Sequence, residues 1–245
     1  MSANFDNIGH VQSLSATLLE SYLNAASEIS RWALGNRNAP AVDQVYKLPE
    51  YISQHPWDHV EGAPYGTRGG IVLDHVFPTD AEYVFGITFT GGRNARLEDI
   101  DISIDGERIA LLHYTRSGAG ADGRGGAGIR TEPIMLRAGQ HKVSAAFIRR
   151  ADGPYEDLLR PHEWSLAGGG SGGNGITSLP HVRDLIISGP YNTTGISETP
   201  TRSKIFSCRP TVLSEELACA RQVVSRLASE AYRRPVSDSD ISGLM

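Results

Sequence analysis

Two periods of apolar residues divide the chain. Leu18, Tyr22, Ala25/Ala26, Ile29 and Ala33 return at three- and four-residue steps, which predicts a helix. Ser13 or Ser15 is placed to cap it, Gly35 to close it, and Pro40 marks a boundary. From about Val42 to Ser188 the period falls to two. Tyr83, Phe85, Ile87 and Phe89 alternate with Glu82, Val84, Gly86 and Thr88, and Ile100, Ile102 and Ile104 alternate with Asp101, Ser103 and Asp105. Val143, Ala145 and Phe147 repeat the pattern after Gly139-Gln140-His141. One apolar face and one wet face predict antiparallel sheet over a core. Asp105-Gly106 is a hairpin signal, because a type I′ turn needs the positive φ that these two residues tolerate. Further strands are expected at 71–77, 109–114, 130–136 and 184–188, giving about seven to nine short strands in a jelly-roll-like β-sandwich.

After Gly189-Pro190 the stretch Tyr191 to Arg202 is turn-rich. A second helix is expected with Ser214 as cap, the stripe Leu217, Ala220, Val223/Val224, Leu227 and Ala231, and Pro235 as its end. Ser237 and Asp240 then form a box-like pair, and Ile241 and Leu244 open a new apolar stripe just before Met245. Two turns have little to bury against, so the expectation is an excerpt from a longer protein. The predicted class is mainly β with flanking helices: an antiparallel β-sandwich inserted between N- and C-terminal α-helices that pack together. The expected domains are an N-terminal helical segment at 1–39, the sandwich at 40–190, and a linker with the start of a helical domain at 191–245.

Composition changes this picture little. Hydrophobic residues make up 40% and charged residues 21%, ordinary for a globular protein. A net charge of −5 with no Lys/Arg block excludes the concentrated basic surface that tight nucleic-acid binding needs. No apolar run approaches the ~20 residues of a membrane span. The first six residues, Met1 to Asp6, carry neither the basic nor the apolar region of a signal peptide. Glycine concentrates at 117–128 and 167–175, which read as loops.

Candidate chemistry is sparse. His162-Glu163 begins a zinc-protease pattern, but position 166 is Leu. Gly66-Thr67-Arg68-Gly69-Gly70 resembles a phosphate loop yet leads into a strand, so a tight turn is expected. Gly169 to Gly173 lacks the strand and helix flanks of a nucleophile elbow. Cys208 and Cys219 can close a short loop as a disulfide, worth ~3 kcal/mol and suited to an oxidising compartment; the alternative is two unpaired buried cysteines. The long connection Arg149 to Val182 is the expected functional surface. There Asp152, Glu156 and Asp157 can bind Ca²⁺, and aromatic faces such as Tyr155 and Trp164 there, or Trp57 and Tyr65 earlier in the chain, can stack on sugar rings.

The two ends of the chain resemble known domains. Phe5-Asp6-Asn7, Ser15 to Leu23, Ala26 and Ile29-Ser30-Arg31 resemble the third planctomycete-specific domain. Gly189 to Asn192, Thr199 to Arg202, Cys208-Arg209-Pro210, Cys219-Ala220-Arg221 and above all Ala231-Tyr232-Arg233-Arg234-Pro235-Val236 resemble the junction into the fifth such domain. Together they look like part of a planctomycete-type cytochrome-c-associated multidomain protein of unknown function. The resemblance implies haem c in the parent protein but not in this segment, which has no C-x-x-C-H, and other domains of that parent as partners. It also implies that the central region, with 100–106 and 136–143, looks like a calcium-dependent xylan-binding carbohydrate-binding module. The expectation is a non-catalytic glycan-binding sandwich in a periplasmic or extracellular protein. The alternatives are a structural spacer, or part of a haem-dependent oxidoreductase whose redox centres lie outside the segment.

Overall fold

The computed structural model describes residues 15–49, 52, 54, 58–91, 97–114, 128–149 and 180–245. They divide into two compact units, one of residues 36–197 and one that joins the first 35 residues to 198–245. The larger unit is all β. Its strands are β1 (Val42–Lys47), β2 (Thr67–Phe77), β3 (Asp80–Gly91), β4 (Glu98–Ile104), β5 (Glu107–Tyr114), β6 (Ile129–Arg130), β7 (Ile134–Leu136), β8 (Gly139–Ile148) and β9 (Pro180–Gly195).

Two antiparallel sheets face each other. Sheet A runs β1-β9-β3-β6 with β7 also on β3, and sheet B runs β2-β8-β4-β5. The period-two residues fill the space between them: Phe85 and Ile87 from β3, Leu185 and Ile187 from β9, Ile100 and Ile102 from β4, Ala145 and Phe147 from β8, all buried. Each fully buried Ile or Phe contributes roughly 1.5–3 kcal/mol by leaving water. The β4–β5 connection is the expected two-residue hairpin, with Ile104 opposite Glu107 and both Asp105 and Gly106 at positive φ.

Several local expectations are corrected. The strand expected at 130–136 is two, because Pro133 follows Glu132 and cannot donate to a ladder. The Gly66–Gly70 segment is not a tight turn: Thr67 onward is strand, with the ladder to β8 shifting between Arg68 and Ile71. Sheet A also continues past Pro190, since β9 pairs Tyr191 with Glu82 and Gly195 with Asp80.

The smaller unit holds α1 (Ala16–Leu34), α2 (Pro200–Ile205), α3 (Leu213–Tyr232) and α4 (Asp238–Ser242). Ser15 caps α1 by accepting from Leu18 N, and Arg202 donates to the last carbonyl of α1, Leu34 O. Thr199 caps α2, where a turn-rich linker was expected. The N-cap of α3 is Val212 without a side-chain bond, so Ser214 lies inside the first turn. Cys208 and Cys219 are joined as a disulfide. Ser237 and Asp240 form a full capping box on α4, and Ile241 is buried while Leu244 stays exposed.

Candidate functional site

The strand registers bring six strand ends together. Thr67 pairs with Ile148, Phe147 with Ile100, Glu98 with Tyr114, and Gly91 with Pro180. Phe89 of sheet A meets Tyr114 of sheet B edge-on at 4.9 Å, so both sheets end in the same place. The described residues Gly91 and Leu97, Tyr114 and Gly128, and Arg149 and Pro180 lie toward this end.

Inside this end lies a polar cluster. Arg68 and Glu98 are enclosed, their side chains 4% and 8% exposed, with Arg68 Nη2 3.3 Å from Glu98 Oε2. That approach makes an ion pair without hydrogen-bond alignment. The Arg68 guanidinium also lies 4.4 Å above the centre of the Phe147 ring, and its Nη1 donates to Gln54 O at 3.3 Å. Burial pushes the Arg68 pKa down, and the Glu98 charge opposes the shift. Gln54 spans the two sheets: its Oε1 accepts from Gly70 N at 3.1 Å and Val182 N at 3.0 Å, and its Nε2 donates to Val182 O at 2.8 Å.

The glycines of this region exist for the same geometry. A Cβ on Gly69 would lie 2.7 Å from Gln54 Cβ, and one on Gly70 would lie 2.1 Å from the Ala145 carbonyl oxygen. Both have positive φ, so the bulge that turns Arg68 inward needs residues without side chains.

On the rim stands Tyr65, 97% exposed. Its ring is stacked on His59, centroids 5.9 Å apart and planes within 8°. Thr67 Oγ1 donates to Pro64 O at 2.6 Å, Arg149 N to Gly66 O at 2.8 Å, and Gly69 N to Asp58 O at 2.8 Å, which pins the loop at both sides of the ring.

The opposite end of the sandwich carries a second polar group. His75, buried, has Nδ1 2.7 Å from Tyr46 Oη and its ring 4.4 Å from Phe77. Burial, and secondarily the neighbouring His141, push the His75 pKa down to about 4. His141 Nδ1 lies 2.6 Å from Asp105 Oδ2, and Asp105 Oδ1 accepts from Lys142 N. Desolvation would raise the Asp105 carboxyl, but these hydrogen bonds outweigh it and hold it below the ordinary range.

Of the side chains expected to meet a ligand, Tyr65 is placed on the rim. Trp57, Tyr155 and Trp164, with the candidate metal ligands Asp152, Glu156 and Asp157, lie outside the described residues. Among the described residues no group of three or more His, Cys, Asp or Glu could hold a metal ion, and no helix is long and apolar enough to cross a membrane. Sequence reasoning missed Arg68, Glu98, Gln54 and His75. Strand parity carries a signal for two of them, since Glu98 precedes Ile100 by two and His75 precedes Phe77 by two, both on the inward face.

Residues 1–35 match the model of a family described as a protein of unknown function, DUF1587 (PSD3). No curated protein matches the chain. Among solved structures the chain is similar to the CBM36-1 domain of a multidomain xylanase from the hindgut metagenome of Trinervitermes trinervoides, at 9% identity and a TM-score of 0.34, covering 62% of this chain and 100% of that one. It is also similar to a family 35 carbohydrate binding module from Clostridium thermocellum, at 16% identity and a TM-score of 0.31, covering 61% of this chain and 98% of that one. A third is an exo-beta-1,3-galactanase from Phanerochaete chrysosporium, at 11% identity and a TM-score of 0.33, covering 61% of this chain and 30% of that one.

Proposed function

We propose that the sandwich binds a polysaccharide, without catalysis, at the end where Tyr65 stands. The observation that carries this is the ring itself: fully open to solvent, stacked on His59, and fixed by backbone bonds on either side. A pre-set aromatic face binds the C–H face of a pyranose ring with little ordering cost. The buried Arg68–Glu98 pair and Gln54 hold the bulged strand behind it. Xylan is the first glycan to try, and it and Ca²⁺ follow from the sequence resemblance; Trp57, Tyr155 and Trp164 as further faces and Asp152, Glu156 and Asp157 as ligands follow from their residue types.

Affinity electrophoresis on xylan and other plant or algal polysaccharides, with Ca²⁺ and then with EDTA, tests the proposal. Retardation that Tyr65→Ala abolishes supports it, and unretarded migration on every glycan ends it. The wider setting belongs to the same reading: a cytochrome-c-associated parent protein with haem c in another segment, periplasmic or extracellular, where the Cys208–Cys219 disulfide persists. Haem staining of the parent protein checks that setting.

A further inference from the structure

Strand β1 is an edge. It pairs with β9 on one side, and none of the described strands pairs with the other. Leu48 N donates to Arg183 O at 2.8 Å, continuing the register in which Lys47 faces Asp184. Bonded residues alternate along an antiparallel pair, so Tyr46, Gln44 and Val42 spend their backbone groups on β9. Asp43, Val45 and Lys47 therefore aim theirs at the open edge. All three are exposed, Val45 at 49%. Pro40 and Pro49 bracket the strand and limit any added pairing to this window.

An open strand edge is a template for another strand, and natural proteins generally blunt it. This one is self-complementary. Set antiparallel to itself about Val45, it places Asp43 opposite Lys47 of the second copy, Val45 opposite Val45, and Lys47 opposite Asp43. Those are the same three residues whose N–H and C=O groups point outward, so the hydrogen-bond parity and the charge pattern agree. A shift by two residues sets Asp43 against Val45. A shift by four sets Asp43 against Asp43 or Lys47 against Lys47. Neither Asp43 nor Lys47 has an ion pair with any described residue.

The geometry points to a second copy of this chain as the partner of β1: a twofold homodimer in which sheet A continues across the axis through paired β1 strands, sealed by two Asp43–Lys47 contacts. The twofold makes the interface isologous, so each favourable pair occurs twice. A six-residue strand pair lies well below the ~1,200 Å² of a stable interface, so the dimer is reversible and concentration-dependent.

Sedimentation velocity of the full chain over a concentration series tests this. The expected result is a shift from the mass of one chain toward two as concentration rises. Lys47→Asp sets Asp against Asp at both ends and raises the dissociation constant about tenfold. The double variant Asp43→Lys with Lys47→Asp restores the opposite-charge pairs and recovers the dimer. Both positions are exposed, and an unchanged far-UV spectrum verifies the fold. A single-chain mass at every concentration overturns the proposal, as does a dimer that Lys47→Asp leaves intact or that the double variant fails to recover.

Discussion

At the Arg68 end of the sandwich a full charge pair is shut in between the sheets, whereas at the His75 end a titratable ring is buried in its neutral form. The first solution depends on a partner: Glu98 compensates Arg68, and Gln54 ties the two sheets around them. The second depends on pH, because His75 has Tyr46, Phe77 and His141 beside it. The Asp105 carboxylate sits beyond, against His141. A compensated charge is intolerant of losing one member. A neutral histidine tolerates its neighbours but not protons.

The comparison breaks most sharply at Arg68. Arg68→Met leaves Glu98 buried and unpaired, and should lower the stability of the sandwich by ~3–5 kcal/mol in urea denaturation. Arg68→Met combined with Glu98→Leu should recover most of that loss, since a buried ion pair replaced by apolar groups is often neutral.

At the other end the sign follows from linkage. The folded pKa of His75, about 4, lies below the ordinary 6.5, so between those values the unfolded chain binds the extra proton. Stability is fully present above about pH 6.5 and falls as pH drops toward 4, by up to ~3 kcal/mol. Denaturation midpoints from pH 7 to 4 should show this slope, and His75→Gln should flatten it.

These two clusters also mark the limit of what the chain made legible. The alternation Tyr83-Phe85-Ile87-Phe89 and the Asp105-Gly106 turn are local patterns, and each led to the element found. Gly66 to Gly70 misled, because what demands glycine at 69 and 70 is distant: the Gln54 side chain and the β8 carbonyl of Ala145. The charge partner of Arg68 is far along the chain, so its pairing with Glu98 follows only from the register through β8. The break at Pro133 was visible as a proline but not as two separate strands on β3. Of the site, Tyr65 was legible as an aromatic face for a sugar ring, whereas its stack on His59 depended on how the loop between them closes.

Two smaller effects sharpen the contrast. Gln54→Leu should cost about 2 kcal/mol or more, by leaving Gly70 N and both backbone groups of Val182 unbonded, and a lowered thermal midpoint should report it. Tyr65→Ala should change stability by less than ~0.5 kcal/mol, as the ring is exposed, while removing glycan retardation. A residue that matters for binding and not for folding would separate the rim from the cluster behind it.

The position of β9 has a consequence for biosynthesis. It is the last strand in the chain, yet it lies between β1 and β3 and pairs with both. Until Gly195 has left the ribosome, β1 has no strand to join it to β3 and the short β6 and β7, and the apolar face of β3 has no complete layer to join. The sandwich is therefore a late folder, with nearly all of its sequence exposed to chaperones and proteases before its core can close.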